Sequence, residues 1–486
     1  MPAVLELLRE QLGERVVTDP AVLATLRTDR SGALAAGTPL VLVEAATIED
    51  VQATCRIASE TGTPIVPRGA GSGLAGAASA GEGEIVLSTA GMRRILEVQP
   101  DDQLCVVEPG ILNGELNAEL AKQGLWWPPD PASKDFSSVG GNIAMNAGGL
   151  LCAKYGVTRE SVLALNVVLA SGELMEVGHR TVKGVTGYDL CALMIGSEGT
   201  LGIIVEATLK LRPAITGEVP TIGAYFAGVR DAADASAAVT AAGIRPAIME
   251  LLDRNMLVAA SNATGVDLAS QGNTYLLIQT DGADARGEAE RILELVAPLA
   301  TSAELTLDPE SAATLVDVRR RGFPALEAMG AMLVEDCAVP RSRMADMFER
   351  VEAIAAKYDV FIACPAHAGD GNLHPTFVFE GSAAAVPDEI WQAAGELFEA
   401  ALELGGTLSG EHGIGLLKRR WLGAELGDTQ LALQRQIKAV FDPKGILNPG
   451  KMFPQEHPVS PSDFREVYGS RAHNWGVPEV PTWRVK

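Results

Sequence analysis

Short apolar runs rich in β-branched residues recur along the first part of the chain, separated by loops rich in glycine. Runs of this kind, bounded by turn residues, are typical of strands. The intervening segment 48–62 predicts a helix, and its final Gly62 is typical of a helix stop. The predicted strands are PLVLVEAA (39–46), PIVPRG (64–69), EIVLST (84–89) and LCVVEPG (104–110).

The pattern changes after residue 214, where strand-like and helical segments begin to alternate. Because no nucleotide-binding loop interrupts this alternation, it predicts an α+β substrate domain. The stretch 421–453 predicts a helix that ends in turns, and the tail after Pro454 shows no core pattern. The strand-like segments are 221–228, 274–282 and 332–340.

The charge balance argues against nucleic acid as a partner. The 486 residues include 39 Lys and Arg against 62 Asp and Glu, a net charge of −23, whereas phosphate backbones are bound by a basic face. The apolar share of 47% and the charged share of 21% are those of a globular protein, and the length predicts two to four domains.

The pattern predicts a cytoplasmic protein with no transmembrane segment. The longest uncharged stretch, 136–153, is broken by glycines and asparagines, so it reads as loop and not as a spanning helix. The amphipathic N-terminal segment does not have the pattern of a secretory signal. The six cysteines form no C-x-x-C, which fits a reducing compartment and excludes an iron–sulfur cluster with the usual spacings.

The 51 glycines predict loops that approach a ligand closely. Gly71, Gly73 and Gly76 form a G-x-G-x-x-G pattern, but the next predicted strand begins at Glu84 and leaves no room for a Rossmann helix. The segment therefore predicts a strand–loop–strand unit whose backbone N–H groups receive a pyrophosphate, with Arg68 at its mouth. A simple tight turn is the structural alternative.

Several ordered motifs carry a family resemblance. The set PRGAGSGLAG, SSVGGNIAMNAGG, YGVTRESVLALNVVLASGE, KGVTGYDL and GSEGTLGIIVEATLKL resembles the FAD domain of the vanillyl-alcohol oxidase / p-cresol methylhydroxylase superfamily. The later motifs HAGDGNLHP, SGEHGIG and FDPKGILNPGKMF resemble its D-lactate dehydrogenase / glycolate oxidase flavin-subunit branch. The resemblance covers residues 36–453.

The resemblance implies an α+β fold with a two-part FAD-binding domain of the p-cresol methylhydroxylase type. It also implies a ferredoxin-like α+β cap and a C-terminal helical segment that returns to the flavin. The expected regions are a helical lead-in (1–35), the FAD-binding domain (36–214), the substrate or cap domain (215–415), the C-terminal helical segment (416–453) and a tail (454–486).

By resemblance, the glycine segments hold FAD and Asn448 approaches its ring system. The attachment is expected to be non-covalent, because residues 69–74 offer neither His nor Cys. The implied cofactor-binding residues are Pro67, Arg68, Gly69, Ala70, Gly71, Ser72, Gly73, Leu74, Ser138, Gly141, Asn142, Gly148, Gly149, Gly199, Gly202, Ile204 and Asn448.

Two short motifs hold three of the six histidines. If Asp370 and Gly371 form a two-residue hairpin turn, His367 lies directly opposite His374, at a spacing suited to one metal ion. Glu411, flanked by glycines, is the best third ligand, and such a set with an open position is a Lewis-acid site. Two stacked core histidines are the alternative. The resemblance implies zinc at this site, with manganese or iron as other candidates.

His412 adjoins the proposed ligand Glu411, and its side-chain type suits a general base near neutral pH. Arg319 matches, by family position, an arginine that binds the substrate carboxylate as a bidentate fork. A loop histidine and a solvated basic helix face are the structural alternatives. Some relatives that take dicarboxylic acids have Lys where Val334 stands and Asn where Thr376 stands, which favours a monocarboxylic substrate here.

The resemblance implies FAD-dependent oxidation of a small D-2-hydroxy acid, with D-lactate or glycolate favoured. Since the chain has no iron–sulfur or haem motif, electrons must leave to an external acceptor. That acceptor would be a quinone, a cytochrome, an electron-transfer flavoprotein or a separate iron–sulfur subunit, which allows a peripheral membrane location through a partner. The alternatives are a flavin enzyme for a larger hydroxy acid or alcohol, and a non-catalytic FAD subunit of a larger complex.

Overall fold

The computed structural model describes residues 2–454, so the tail expected at 454–486 lies outside the described residues except for Pro454. The helices, numbered α1 to α15 in chain order, are Pro2–Leu12, Pro20–Thr25, Ile48–Thr61, Asn113–Ala121, Val139–Met145, Cys152–Tyr155, Leu190–Met194, Val229–Ala241, Arg254–Thr264, Ala285–Val296, Pro309–Arg320, Gly322–Glu327, Met344–Tyr358, Asp388–Glu403 and Leu422–Phe441. The strands, numbered β1 to β21, are Val16–Val17, Val41–Glu44, Ile65–Arg68, Ile85–Ser88, Ile95–Gln99, Leu104–Val107, Leu125–Trp126, Val162–Val168, Leu174–Gly178, Ile203–Lys210, Arg212–Pro213, Thr221–Phe226, Ile248–Leu252, Thr274–Gln279, Ser302–Thr306, Ala331–Val334, Cys337–Ala338, Phe361–Ala363, Ala366–His367, Asn372–Leu373 and Thr376–Phe379.

The described N-terminal half contains two larger sheets and a two-stranded sheet of β7 and β11. In the first, β2, β4 and β3 are parallel neighbours and β1 pairs antiparallel with β2. Helix α3 packs on this sheet and begins in a reciprocal cap, in which Thr47 and Asp50 each accept the other's backbone N–H. It ends where Gly62 adopts a φ of 68°, as the sequence predicts. The described chain forms no helix between β3 and β4, which confirms the strand–loop–strand prediction.

The second sheet is antiparallel, with the order β5-β6-β10-β8-β9. One face is covered by α4, α5 and α7.

The prediction that residues 136–153 form a loop was wrong at the centre of this stretch, where α5 forms. Ser138 caps this helix by accepting the Gly141 N–H at 3.4 Å, and Val139 and Ile143 are buried against the sheet. Tertiary burial of two apolar residues therefore outweighs the weak helix propensity of the glycines.

The C-terminal half is built on a ferredoxin-like unit, as expected from the resemblance. Elements β12, α8, β13, β14, α10 and β15 occur in this order, with α9 inserted between β13 and β14, and their strands have the spatial order β15-β12-β14-β13. Strands β19, β20 and β17 extend this sheet beyond β13. Helices α8, α10, α13 and α14 cover one face and form the largest apolar core of the described chain.

The C-terminal segment returns to the first sheet. Helix α15 is interrupted at Gly427, where the backbone is not helical. After it, the Ile65 N–H donates to the Ile446 carbonyl and the Asn448 N–H donates to the Ile65 carbonyl, both at 2.7 Å. The segment therefore lies along β3, the strand that leads into the first glycine segment.

Within residues 2–454, none of the helices combines the length and apolar character needed to cross a membrane. All six cysteines lie in this range, and each is a free thiol. Five are buried and Cys152 is half-buried. They therefore behave as small apolar side chains in the packing.

Candidate active site

A cavity of about 670 Å³ lies between the glycine segments of the N-terminal half and the cap. It brings together segments that are far apart in sequence, from β3 to the loop after α14. Every residue that the resemblance assigns to cofactor, metal or substrate lines this cavity, except Asn448. The cofactor-binding set on its wall is Pro67, Arg68, Gly69, Ala70, Gly71, Ser72, Gly73, Leu74, Ser138, Gly141, Asn142, Gly148, Gly149, Gly199, Gly202 and Ile204.

Arg68 shapes the first glycine segment in addition to lining the cavity. Its Nη1 donates to the Ala78 carbonyl at 2.8 Å, which connects the two ends of the loop, and to the Thr28 carbonyl in the N-terminal segment at 3.1 Å. A Cβ at Gly71, where φ is 69°, would overlap the guanidinium. Glycine at this position therefore allows the arginine to lie across the loop.

Asn448, which was expected to approach the cofactor, is not among the residues that line the cavity. Its Nδ2 donates to the carbonyl of Ala77 at 3.0 Å and to that of Glu198 at 2.7 Å. The buried side-chain nitrogen is thus held by backbone carbonyls from two separate glycine-rich stretches, near residues 69–77 and 196–202. Its geometry is that of a brace between these segments.

His367, His374 and Glu411 converge at one end of the cavity. Glu411 Oε1 lies 3.5 Å from His367 Nε2 and 3.2 Å from His374 Nε2. Ligands about 2.0–2.2 Å from a tetrahedral zinc ion lie roughly 3.3–3.5 Å apart, so these spacings fit one ion. The three candidate ligand atoms all lie within 4.8 Å of one another.

The hairpin register differs from the sequence prediction by two residues. His367 pairs with Asn372 and not with His374, because the loop contains four residues, 368–371. The His374 N–H instead donates to the Pro365 carbonyl at 2.8 Å. Since side chains alternate with a period of two, a shift of two residues leaves both imidazoles on one face. Their ring centres are 4.9 Å apart.

Protonation states at this end of the cavity are set by burial and by the carboxylates. Burial lowers the pKa of His374 to about 3, against the effect of Glu411. Burial also opposes protonation of His367, but the carboxylates of Glu250 and Glu411 raise its pKa well above its usual value. Because a histidine ligand must be unprotonated, an ion bound here would displace a proton from His367.

Glu250 was not singled out from the sequence, although it contacts two site residues. It lies on β13 directly opposite His367 and is completely buried. Its Oε1 is 2.5 Å from His367 Nδ1, and its Oε2 accepts from Arg319 Nε at 2.9 Å. The sequence feature that could have revealed Glu250 is a carboxylate within the otherwise apolar strand IMELL.

Asp336 is a second buried carboxylate that sequence reasoning missed. Its Oδ2 accepts the backbone N–H groups of Gly410, Glu411 and His412 at 2.6, 2.8 and 3.4 Å, and its Oδ1 faces the Lys418 ammonium. Burial raises the pKa of Asp336, but Lys418 and His412 together hold it well below its usual range. The sequence feature that could have revealed Asp336 is the pair of acidic residues in the otherwise apolar run MLVEDCAV.

His412 lies beside the candidate metal ligands and faces the cavity. Its ring stacks on His374, with centres 5.1 Å apart and planes at 26°. Its Nδ1 is 3.6 Å from Asp336 Oδ1 and its Nε2 is 3.9 Å from Glu411 Oε1. Burial lowers the pKa of His412, although Asp336 and Glu411 oppose the shift. An unprotonated imidazole can accept a proton at neutral pH.

Arg319 lies on α11 and reaches the same end of the cavity. The ion pair with Glu250 uses Nε, so the two terminal nitrogens of the guanidinium lie outside that pair. The adjoining wall is apolar and is formed by Phe323, Met332 and Val334.

Thr376 is the second position that was considered for substrate specificity. It is buried and does not line the cavity, and its hydroxyl donates to the His374 carbonyl at 3.1 Å.

Sequence comparison identifies the family. The family described as "FAD binding domain" matches residues 39–178, and that described as "FAD linked oxidases, C-terminal domain" matches residues 217–452. Glycolate oxidase subunit GlcD of Bacillus subtilis is 39% identical over 414 residues, which cover 84% of this chain and 87% of that protein. This chain belongs to the FAD-linked oxidase family.

Other relatives of this FAD-linked oxidase span nearly the whole chain. A D-lactate dehydrogenase of Anaerostipes hadrus is 33% identical over 464 residues, covering 93% of this chain and 97% of that protein. A solved structure of p-cresol methylhydroxylase with substrate bound superposes with a TM-score of 0.76 at 16% identity, covering 93% of this chain and 96% of that one. The structural likeness establishes the p-cresol methylhydroxylase fold.

The cavity of the FAD-linked oxidase suits its cofactor. Backbone of the first glycine segment, residues 69–74, forms one wall, where N–H groups without bulky side chains can face phosphate oxygens. The side-chain Nδ2 of Asn142 is buried at the wall and has no hydrogen-bond partner among the described residues. A bound group with an acceptor would satisfy this donor.

Glu198 connects the FAD-binding half of the oxidase to the loop that carries Glu411. Its Oε1 accepts the Ile414 N–H at 2.7 Å and its Oε2 accepts the Gly415 N–H at 2.8 Å. Burial raises the pKa of this carboxyl to about 7, although the two backbone donors lower it. The folded protein thus binds this proton more tightly than the unfolded chain, whose carboxyl titrates near 4.5.

Replacing Glu198 with glutamine should therefore weaken the pH dependence of stability. A raised carboxyl pKa makes the free energy of unfolding fall as pH rises from about 4.5 to about 7, by about 3 kcal/mol at most. Urea unfolding of the FAD-bound protein at pH 5 and pH 7.5 should show a smaller fall in Glu198→Gln than in the parent. Equal falls would contradict the assignment.

Proposed function

We propose that this FAD-linked oxidase oxidises a small D-2-hydroxy acid, with D-lactate or glycolate favoured, to the 2-oxo acid. One observation carries the proposal: a single cavity holds the cofactor segments, the His367–His374–Glu411 cluster, His412 and Arg319. The names of the relatives, glycolate oxidase subunit and D-lactate dehydrogenase, support the same substrate class. Val334 on the cavity wall supports a monocarboxylic acid, because it offers no charge for a second carboxylate.

His367, His374 and Glu411 would hold a divalent ion, zinc first and manganese or iron as alternatives. Their spacings support this assignment, and nitrogen and carboxylate ligands suit such ions. When bound, the ion supplies Lewis acidity that makes a substrate hydroxyl more acidic. His374 contributes an imidazole held unprotonated by burial.

Two further side chains would orient and deprotonate the substrate. The terminal nitrogens of Arg319 would bind the substrate carboxylate, for which the guanidinium fork is matched in geometry. His412 would take the hydroxyl proton, since its ring is close to the ligand cluster and its pKa is lowered. FAD, when bound, supplies the oxidising group that accepts hydride from the substrate carbon.

We further propose that FAD is held without a covalent bond, since residues 69–74 contain neither His nor Cys. Electrons would then leave to an external acceptor: a quinone, a cytochrome, an electron-transfer flavoprotein or a separate iron–sulfur subunit. A cytoplasmic location, with any membrane contact made through a partner, stays a prediction from sequence.

The decisive experiment is an anaerobic screen of the purified protein against D- and L-2-hydroxy acids. We expect D-lactate or glycolate to bleach the visible flavin absorbance, and the L-enantiomer of lactate to reduce the flavin far more slowly. Bleaching would also rule out a non-catalytic subunit. If no hydroxy acid reduces the flavin, the proposed function is wrong.

Replacing His374 with alanine should remove bound divalent metal and most activity while FAD is retained. The change deletes one of three ligands but no residue of the glycine segments. Metal content by elemental mass spectrometry and FAD content by absorbance would be compared with His179→Ala, a matched control at an exposed histidine. Unchanged metal content in His374→Ala would refute the ligand assignment.

Replacing His412 with alanine should leave metal and FAD content unchanged and slow flavin reduction by about 10²–10⁴-fold, the usual contribution of a general base. Stopped-flow measurement under saturating substrate separates this step from reoxidation. A reduction rate equal to that of the parent would place the base at another residue.

A further inference from the structure

The buried carboxylate of Glu250 has no role in the function proposed above. It lies in the middle of β13, between the apolar residues Met249 and Leu251, and its side chain is completely buried. Burying a carboxylate is costly unless charged or hydrogen-bonding partners compensate it. Its partners therefore indicate why this position is not apolar.

Each oxygen of Glu250 binds a different residue of the cavity. Oε1 lies 2.5 Å from His367 Nδ1, and Oε2 accepts from Arg319 Nε at 2.9 Å. His367 comes from the neighbouring strand β19, whereas Arg319 comes from the last turn of α11. One side chain thus joins the metal-site histidine to the arginine across two elements.

The bond to His367 leaves only Nε2 of that ring for the cavity. Because Nδ1 is held by Glu250, Nε2 points toward Glu411, 3.5 Å away. A carboxylate on the far nitrogen fixes the tautomer of a ligating histidine and strengthens it as a ligand. The sheet register, which places Glu250 opposite His367, maintains this arrangement.

The bond to Arg319 orients its guanidinium in a similar way. With Nε engaged by Glu250, the terminal nitrogens lie on the other edge of the planar group, and Arg319 lines the cavity. A planar fork held at one edge presents its remaining donors in a fixed direction, which suits bidentate binding of a carboxylate.

We propose that Glu250 is a positioning residue that orients His367 for metal binding and Arg319 for the substrate carboxylate, so that one buried side chain supports both halves of the site. The arginine half rests on the proposed function. The histidine half rests on the metal site proposed above and not on hydroxy-acid oxidation, so Zn²⁺ affinity tests it without substrate, and a parent protein that binds no Zn²⁺ would overturn it.

The test is Glu250→Gln in the FAD-bound protein, which keeps the side-chain volume but removes the charge shared by the two partners. We expect affinity for Zn²⁺, measured by chelator competition, to fall about 10–100-fold. KM for the best hydroxy acid should rise by more than kcat falls, and FAD content should not change. Arg319→Lys should raise KM alone and leave Zn²⁺ affinity unchanged.

Asp253→Asn is the matched control for a purely structural carboxylate. Asp253 follows the same strand, and its oxygens accept the backbone N–H groups of Met256 and Cys364 at 2.9 and 3.0 Å. We expect this variant to lower the thermal midpoint while Zn²⁺ affinity and KM stay at parental values. Equal effects of the two substitutions on Zn²⁺ affinity would show that Glu250 acts only through stability.

Unchanged Zn²⁺ affinity or unchanged KM in Glu250→Gln would overturn the inference. If that variant does not fold, Glu250→Asp is measured in its place. Its side chain is shorter by one methylene and cannot contact both partners, so we expect lower Zn²⁺ affinity and a higher KM. Parental Zn²⁺ affinity and KM in Glu250→Asp would then overturn it. If no hydroxy acid reduces the flavin of the parent protein, the proposed function and the arginine half fail, while the Zn²⁺ measurement still decides the histidine half.

Discussion

The carboxylate of Asp336 fixes the loop on which the rest of the site depends. Three consecutive backbone N–H groups, from Gly410 to His412, converge on one of its oxygens, and this is possible only if the loop curves around it. Lys418 neutralises the same carboxylate in the interior. Removing one partner of a buried ion pair costs about 3–5 kcal/mol, so the position of Glu411 and His412 is linked to the stability of the cap.

Glycines allow this loop to approach the N-terminal half. A Cβ at Gly148 would overlap the Glu411 carboxylate, and one at Gly415 would overlap the Ala75 carbonyl. Gly415 also has a φ of 50° and donates its N–H to Glu198. The glycines therefore have two effects. They leave backbone N–H groups exposed to the cavity, and they allow the loop that carries Glu411 to pack closely against the N-terminal half.

The acidic character of the chain continues inside the site. Glu250, Glu411 and Asp336 contact three histidines, and the arginines on the cavity wall beside Phe323 are Arg319 and Arg320, while Lys418 is buried against Asp336. A bound divalent ion would add to the positive charge of the arginines. On the function proposed above, this local positive charge is what would allow a protein with a net charge of −23 to bind an anionic substrate.

Local patterns in the sequence determined the strands around the first glycine segment, the absence of a Rossmann helix after Gly76 in the described chain, and the alternation of strands and helices in the cap, whose ferredoxin-like order was implied by the family resemblance. They also placed His367 and His374 on one face, because the error of two residues in register preserves side-chain alternation. Only the tertiary structure decided which partners those residues have. Glu250 and Asp336 lie 117 and 76 residues from the histidines they contact, and the side-chain amide of Asn448 donates to two carbonyls that are distant in sequence. The spacing of apolar residues along the chain predicts which face of a strand or helix a residue occupies. The pairing of buried charges depends instead on how elements that are distant in sequence pack together.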